Sequence, residues 1–217
     1  GVNGKAVITY KKPGVGKTYP VTELPTSDEF NSKTLGMQWG WNHNPDPEKW
    51  SLVKRPGFMR LETVGTATDL TMARNTLTQR PLVKYDLNQP TTGLTKLDVS
   101  HMKNGDEAGL AVFQMPYAYI GVRQKEGVKY LVMVNNGQTI DSVALQTNIV
   151  YLRTTASNQI KKASFAYSTD GKIFKAFGNE LAMQFSLKVF TGNKFCLFNY
   201  ATKQPGGYVD FDYMRLQ

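Results

Sequence analysis

Short apolar runs, each closed by a turn signal, follow one another from Asp28 to the C-terminus, and no segment sustains a 3.6-residue period. Phe58-Met59-Arg60-Leu61 follows a Pro56-Gly57 turn, and Leu94, Leu97 and Val99 sit in an extended run that ends at His101-Met102. Ala108–Phe113 is nearly continuous apolar sequence, followed by Tyr117–Val122 and Tyr130–Val134. Asn136-Gly137 then marks a tight hairpin, because a type I′ turn needs positive φ at both central residues. Ala163, Phe165 and Tyr167 alternate with smaller residues ahead of a second hairpin at Thr169–Lys172. Roughly a dozen strands at this spacing predict an all-β, antiparallel, two-sheet sandwich. Pro47–Lys49 and Thr68–Ala73 allow at most single turns of helix.

The chain of 217 residues suits one large β domain. Two regions differ in texture. Residues 28–217 carry the strand pattern. Residues 1–27 read as the end of a preceding domain and a linker: Val7–Tyr10 has room for one short strand, and Pro13, Gly14, Gly16, Pro20 and Pro25 then keep the chain extended. Gly14-Val15-Gly16-Lys17-Thr18 lacks the spacing of a phosphate loop, and no helical pattern comes after it. No apolar run approaches the ~18 residues of a membrane span, and the opening residues carry no stretch like a signal peptide.

The net charge of +9 raises nucleic acid as a partner, but the lysines are scattered and no basic run exceeds two residues, so we expect no nucleic acid and no membrane partner. A basic surface does attract acidic polysaccharide. The single cysteine, Cys196, excludes an intramolecular disulfide, and its neighbours Phe195, Leu197 and Phe198 predict a buried, inert thiol. His43 and His101 are too far apart in sequence to suggest a zinc site.

Three segments carry polar or aromatic groups suited to chemistry. In Trp39-Gly40-Trp41-Asn42-His43-Asn44 the two indoles share a strand face, where they either stack on sugar rings or pack in the core; Trp50 reads as core. In Arg74–Arg80, Asn75, Leu77 and Gln79 share one face, and Arg74, Thr76, Thr78 and Arg80 the other. Such a strand can bind hydroxyls, line a domain interface or simply face water. In Tyr208–Leu216, Val209, Phe211 and Tyr213 fall on one face, and Asp210 and Asp212 on the other. Paired carboxylates serve glycoside hydrolysis, a hard cation or surface ion pairs, the last being the simplest reading.

Eight phrases in order carry a resemblance. They are Ser27-Asp28-Glu29-Phe30, the stretch from Leu35 to Pro45, Trp50-Ser51-Leu52, the stretch from Arg55 to Leu61, Ala73–Arg80, Phe165–Gly171, Phe190-Thr191-Gly192 and Asp210-Phe211-Asp212-Tyr213. Together they resemble the C-terminal concanavalin A-like β-sandwich (a jelly roll) of family 43 β-xylosidases and α-L-arabinofuranosidases, over residues 28–217. Gly4–Val7 and Tyr10–Pro13 are similar to the end of that family's propeller and its exit linker.

The resemblance implies that the chain has no catalytic residues of its own. In the parent glycoside hydrolases a five-bladed propeller in the same chain carries the general base, the general acid and a modulating carboxylate, and those motifs are not in this sequence. It further implies a loop aromatic that helps close the propeller's active site, matched by Phe190, and a structural calcium between the first and last strands, matched by Asp28 and Asp212. Binding of xylan or arabinoxylan is implied too, with Trp39, Trp41, His43, Asn75, Gln79 and Arg80 as the candidate contacts. Such enzymes are commonly periplasmic or extracellular; one cysteine fits those compartments and the cytoplasm alike. The alternative is an independent carbohydrate-binding module or lectin-like protein with no hydrolase partner.

Overall fold

The computed structural model describes residues 25–79, 89–189 and 191–217, with isolated positions before residue 25. Among these residues it is a sandwich of two antiparallel sheets. One has the order β1 (Trp39–Trp41), β4 (Leu77–Gln79), β14 (Lys194–Ala201), β6 (Asp106–Phe113), β7 (Ala118–Lys125), β8 (Val128–Asn135), β9 (Gln138–Ala144). The other runs β12 (Lys175–Ala176), β11 (Lys162–Ser168), β10 (Ile149–Ser157), β5 (Thr91–Asp98), β15 (Tyr208–Leu216), β3 (Met59–Glu62), β2 (Trp50–Ser51), with β13 (Leu181–Ala182) beside β11. Single 310 turns form at Pro47–Lys49 and Leu70–Met72, each capped by an aspartate side chain, Asp46 and Asp69.

Period-two alternation builds the core. Leu110, Val112, Ile120, Leu131 and Phe195 from the first sheet meet Leu61, Leu97, Leu152 and Phe211 from the second. The Asn136-Gly137 turn has φ of 49° and 81°, as a type I′ hairpin requires. Glu126-Gly127, between β7 and β8, has the same form, with φ of 51° and 82°.

β6 and β7 are buried on both faces along most of their length. Their outer side carries a second apolar cluster: Ala111, Phe113, Tyr119, Val132, Cys196 and Phe198, covered by Ala67, Leu70 and Ala73 from the segment after β3. Gly109 and Gly121 pair across β6 and β7. A Cβ on either would lie 2.3 Å from a carbonyl oxygen of the facing strand. The bare stretch they leave separates Tyr119 from Glu107, and the Tyr119 hydroxyl crosses it to donate to the Glu107 carboxylate.

The last strand departs from the expected alternation. A bulge between Phe211 and Met214 puts an extra residue in β15 against β5, which reverses the facing of the residues beyond it. Met214 and Leu216 therefore enter the core in place of Tyr213. Tyr213 lies under the Arg215 guanidinium, 3.9 Å from the ring centre. Cys196 is fully buried, as expected, and burial pushes its thiol well above the ordinary range.

Candidate functional site

The side chains that the sequence offers for sugar contact are mostly committed to the scaffold. Trp39 is 4% exposed, stacks on Phe30 with ring centres 5.7 Å apart, and donates its indole N–H to Asp28 Oδ2 at 2.7 Å. Trp41 is half-buried and leans on Trp50 at 5.3 Å. Asn75 is buried and clamps the backbone of Asp46, accepting from its N–H at 2.9 Å and donating to its carbonyl at 3.1 Å. Gln79, also buried, donates to the Thr26 carbonyl. The cause is local: Gln79 of β4 and Asn75 just ahead of it are taken by the backbones of neighbouring segments, at Thr26 and Asp46. His43 is exposed, and its Nε2 lies 2.7 Å from the Thr71 carbonyl. Arg80 and Phe190 fall outside the described residues.

His43 stands at the edge of an open pocket of about 490 Å3. Phe113, Met115 and Val189 give it an apolar wall; Asn42, His43, Thr71, Lys188 and Thr191 supply the polar part. Each element has a local cause. The turn that carries Thr71 is fixed by its Asp69 cap, and Phe113 is the last residue of β6. Val189 and Thr191 are joined by a backbone hydrogen bond of 2.9 Å. An apolar wall with an amide, an imidazole and an ammonium at its edge suits a sugar ring or a mixed protein surface. Sequence reasoning found His43, the segment that holds Asn42 and the neighbourhood of Phe190, but not Lys188, which carries no periodic or motif signal.

The carboxylates are placed for structure. Asp210, 2% exposed, accepts from Arg60 at 2.8 and 2.9 Å and from Arg55 at 3.0 Å. Arg55 bridges on to Asp98 at 2.7 Å, and Asp212 pairs with Lys96 at 2.7 Å. Burial works to raise Asp98, but hydrogen bonds from Ser100 and Arg55 outweigh it and hold the carboxyl below its ordinary value. Buried Glu107 accepts from Arg123 at 2.8 Å and from Tyr119. Burial and the neighbouring Glu107 charge push the Tyr119 phenol well up.

The residues matched to a calcium do not fit one as they stand. The backbone of Asp28 does bridge to Met214 of the last strand, with N–H···O distances of 2.8 Å both ways. Its carboxylate oxygens, however, accept from the Phe30 amide, the Gln38 side chain and the Trp39 indole, and Asp212 already holds an ammonium. A calcium needs six to eight oxygen ligands. Among the described residues no three His, Cys, Asp or Glu side chains gather to hold a metal ion.

Comparison with known proteins gives this geometry a context. A family model described as the beta xylosidase C-terminal concanavalin A-like domain matches residues 27–217. A beta-xylosidase of Formosa agariphila is 37% identical over 234 residues, covering 97% of this chain but 38% of that protein. A bifunctional GH43-CE protein of Bacteroides eggerthii superposes with a TM-score of 0.83 at 43% identity, over 88% of this chain and 25% of its own. An engineered GH43 glycoside hydrolase with endo-xylanase and exo-arabinofuranosidase activity gives a TM-score of 0.82 at 30% identity, over 96% of this chain and 44% of its own. The chain thus spans less than half the length of each of these relatives.

Proposed function

This chain belongs to the C-terminal concanavalin A-like domain family of β-xylosidases, and on that premise we propose that it is the non-catalytic accessory domain of a family 43 glycoside hydrolase. The observation that carries the reading is the match over residues 27–217 set against relatives more than twice as long. The reaction centre, on this reading, belongs to a five-bladed propeller elsewhere in the parent chain, with residues 1–27 as its end and linker. The parent cleaves xylose or arabinose units from xylan or arabinoxylan.

The open pocket lined by Lys188, Val189 and Thr191 is the part of the domain we assign to that propeller. Its apolar wall and polar edge suit a partly polar domain contact. Phe190 falls in sequence between two of its lining residues, Val189 and Thr191, and is the aromatic we expect at the propeller's active site. Any direct hold on polysaccharide runs through the same edge, with His43, Asn42 and Lys188 as the contacts in place of Trp39, Asn75 and Gln79. The parent works in the periplasm or outside the cell, which fractionation of the source cells tests.

The decisive experiment compares the isolated chain with the parent enzyme. The chain alone should leave nitrophenyl xyloside and nitrophenyl arabinofuranoside intact. In the parent, Phe190→Ala and Lys188→Glu should lower turnover while the fold is kept. Turnover by the isolated chain would overturn the reading. Retention of the chain on xylan in affinity electrophoresis, with no effect of either substitution on the parent, would favour an independent carbohydrate-binding module.

A further inference from the structure

Two crossings between the sheets lie side by side at one corner of the sandwich. Residues 99–105 lead from β5 to β6, and residues 202–207 lead from β14 to β15. The Thr202 amide donates to the Gly105 carbonyl at 2.7 Å, and the Tyr208 amide to the His101 carbonyl at 3.2 Å. Thr63, at the end of β3, binds the second crossing: its amide donates to the Gly207 carbonyl at 3.0 Å, and its hydroxyl accepts from the Gly206 amide at 2.7 Å.

Asp106 sits where these crossings meet, with no exposed surface. Its Oδ2 accepts from the Lys103 amide at 2.7 Å, while Oδ1 is buried and has no partner. Gly207 presses against it so closely that a Cβ there would lie 1.7 Å from Oδ2. The backbone carbonyls around it are taken, since those of Lys103, Gly105, His101 and Gly207 all accept amide hydrogen bonds.

We propose that the Asp106 carboxyl is a proton-operated latch on this corner, closed when neutral and loosened when ionised. A buried oxygen without a donor tolerates the neutral group and penalises the charged one. Burial accordingly pushes Asp106 up to about 6, against the lowering effect of the Lys103 amide and charge. Of the charged groups nearby, Lys103 lowers the carboxyl by its charge, and the rest are spoken for or turned elsewhere. Lys103 lies along Gly206, and Lys203 packs its stem on Gly105. His101 stacks on Tyr208, Glu107 is bound by Arg123 on the far face of β6, and Glu62 of β3 is bound by Lys54.

Linkage sets the sign. Between the ordinary carboxyl value near 4 and about 6, the closed corner holds more protons than the open one, so closure weakens as pH rises through that window. From pH 4.5 to 7.5 the open population should rise roughly 25-fold. Hydrogen exchange of the intact chain, corrected for intrinsic rates, reads this at the Lys103, Thr202 and Tyr208 amides against Ile120 in β7. The expected result is a loss of protection of that size at the corner, none at Ile120, and no pH dependence in Asp106→Asn. Equal protection at both pH values, or a dependence that Asp106→Asn retains, would overturn the latch. Should Asp106→Asn fail to fold, NMR titration of the Asp106 carboxyl in the unaltered chain decides: a midpoint near 6 sustains the proposal, and one at 4 or below ends it.

Discussion

On the seven-stranded sheet, the face turned away from the core is roofed by Ala67, Leu70 and Ala73 and filled with Phe113, Tyr119, Val132 and Phe198. On the eight-stranded sheet the corresponding face carries Arg60, Lys96, Asp98, Asp210 and Asp212 in ion pairs completed by Arg55, partly open to water. The middle of one sheet is thus packed on both sides, and the other sheet alternates apolar inside and polar outside. The two designs use different energies: apolar burial on one side, charge-assisted hydrogen bonds across strands on the other. They also explain where a groove survives. In the first sheet the roof occupies the middle of the outer face, and the open pocket of His43 and Lys188 is found at the margin, where Thr71 and Phe113 meet Lys188, Val189 and Thr191.

The largest effect tests whether the roofed face is a true second core. Leu70 is as fully buried as Leu110. Leu70→Ala should cost about 2–5 kcal/mol in denaturant unfolding, the same range as Leu110→Ala. A loss for Leu70→Ala below about 1 kcal/mol would reduce the roof to a surface loop and break the comparison. On the ionic face, Asp210→Ala should cost about 2–3 kcal/mol, because it strands Arg60 and Arg55 without their shared acceptor. Arg55 is partly exposed, which keeps the figure below that of a fully buried pair.

Alkaline titration separates the faces by chemistry. Tyr117 is pushed up to about 12, by burial first and then by the charges of Asp69 and Glu107, and burial also raises Tyr119 and Tyr200. These phenols keep their protons in the fold and lose them in the unfolded chain. Stability should therefore fall as pH rises from about 10 toward 12. Absorbance near 295 nm should show Tyr117, Tyr119 and Tyr200 ionising only on unfolding. Simultaneous ionisation of all the tyrosines with the fold intact would show that water reaches the second core.

Much of the fold is readable from sequence, and the failures have physical causes. Alternation places Leu97, Phe165 and Val209 on the core face, and Asn136-Gly137 fixes a hairpin. The same alternation misassigns Tyr213, since nothing in Phe211-Asp212-Tyr213-Met214 marks the bulge that β5 imposes on β15. Trp39 and Trp41 read as core or as a sugar platform, with core the commoner place for tryptophan in a sandwich; burial of Trp39 over Asp28 is decided by the return of Asp28 to Met214, a contact 186 residues apart in the chain. Asn75 and Gln79 resemble hydroxyl-binding groups because a polar strand gives no hint that the backbones of Asp46 and Thr26 will take them. Asp106-Glu107 at the head of an apolar run is the one trace of the buried polar groups at that end of β6, and no periodic pattern reports them.

The smallest effect sharpens the ionic side. Arg215 donates to Glu29 at 2.6 and 2.8 Å, with both side chains nearly half exposed. The hydrogen bond from Arg215, opposed by slight burial, lowers the Glu29 carboxyl. A lowered acid contributes stability above its ordinary range, and the contribution disappears as pH falls through the folded value. Exposure and salt keep it small, so a double-mutant cycle of Arg215→Ala with Glu29→Gln should give a coupling of about 0.2–1 kcal/mol at pH 7 and near zero at pH 2.5. The guanidinium also lies over Tyr213, so a remnant cost of Arg215→Ala at pH 2.5 belongs to that contact. A coupling above about 2 kcal/mol at neutral pH would mean that this edge of the sheet is as shielded from water as the buried Asp210, and the open face would then have to be drawn smaller.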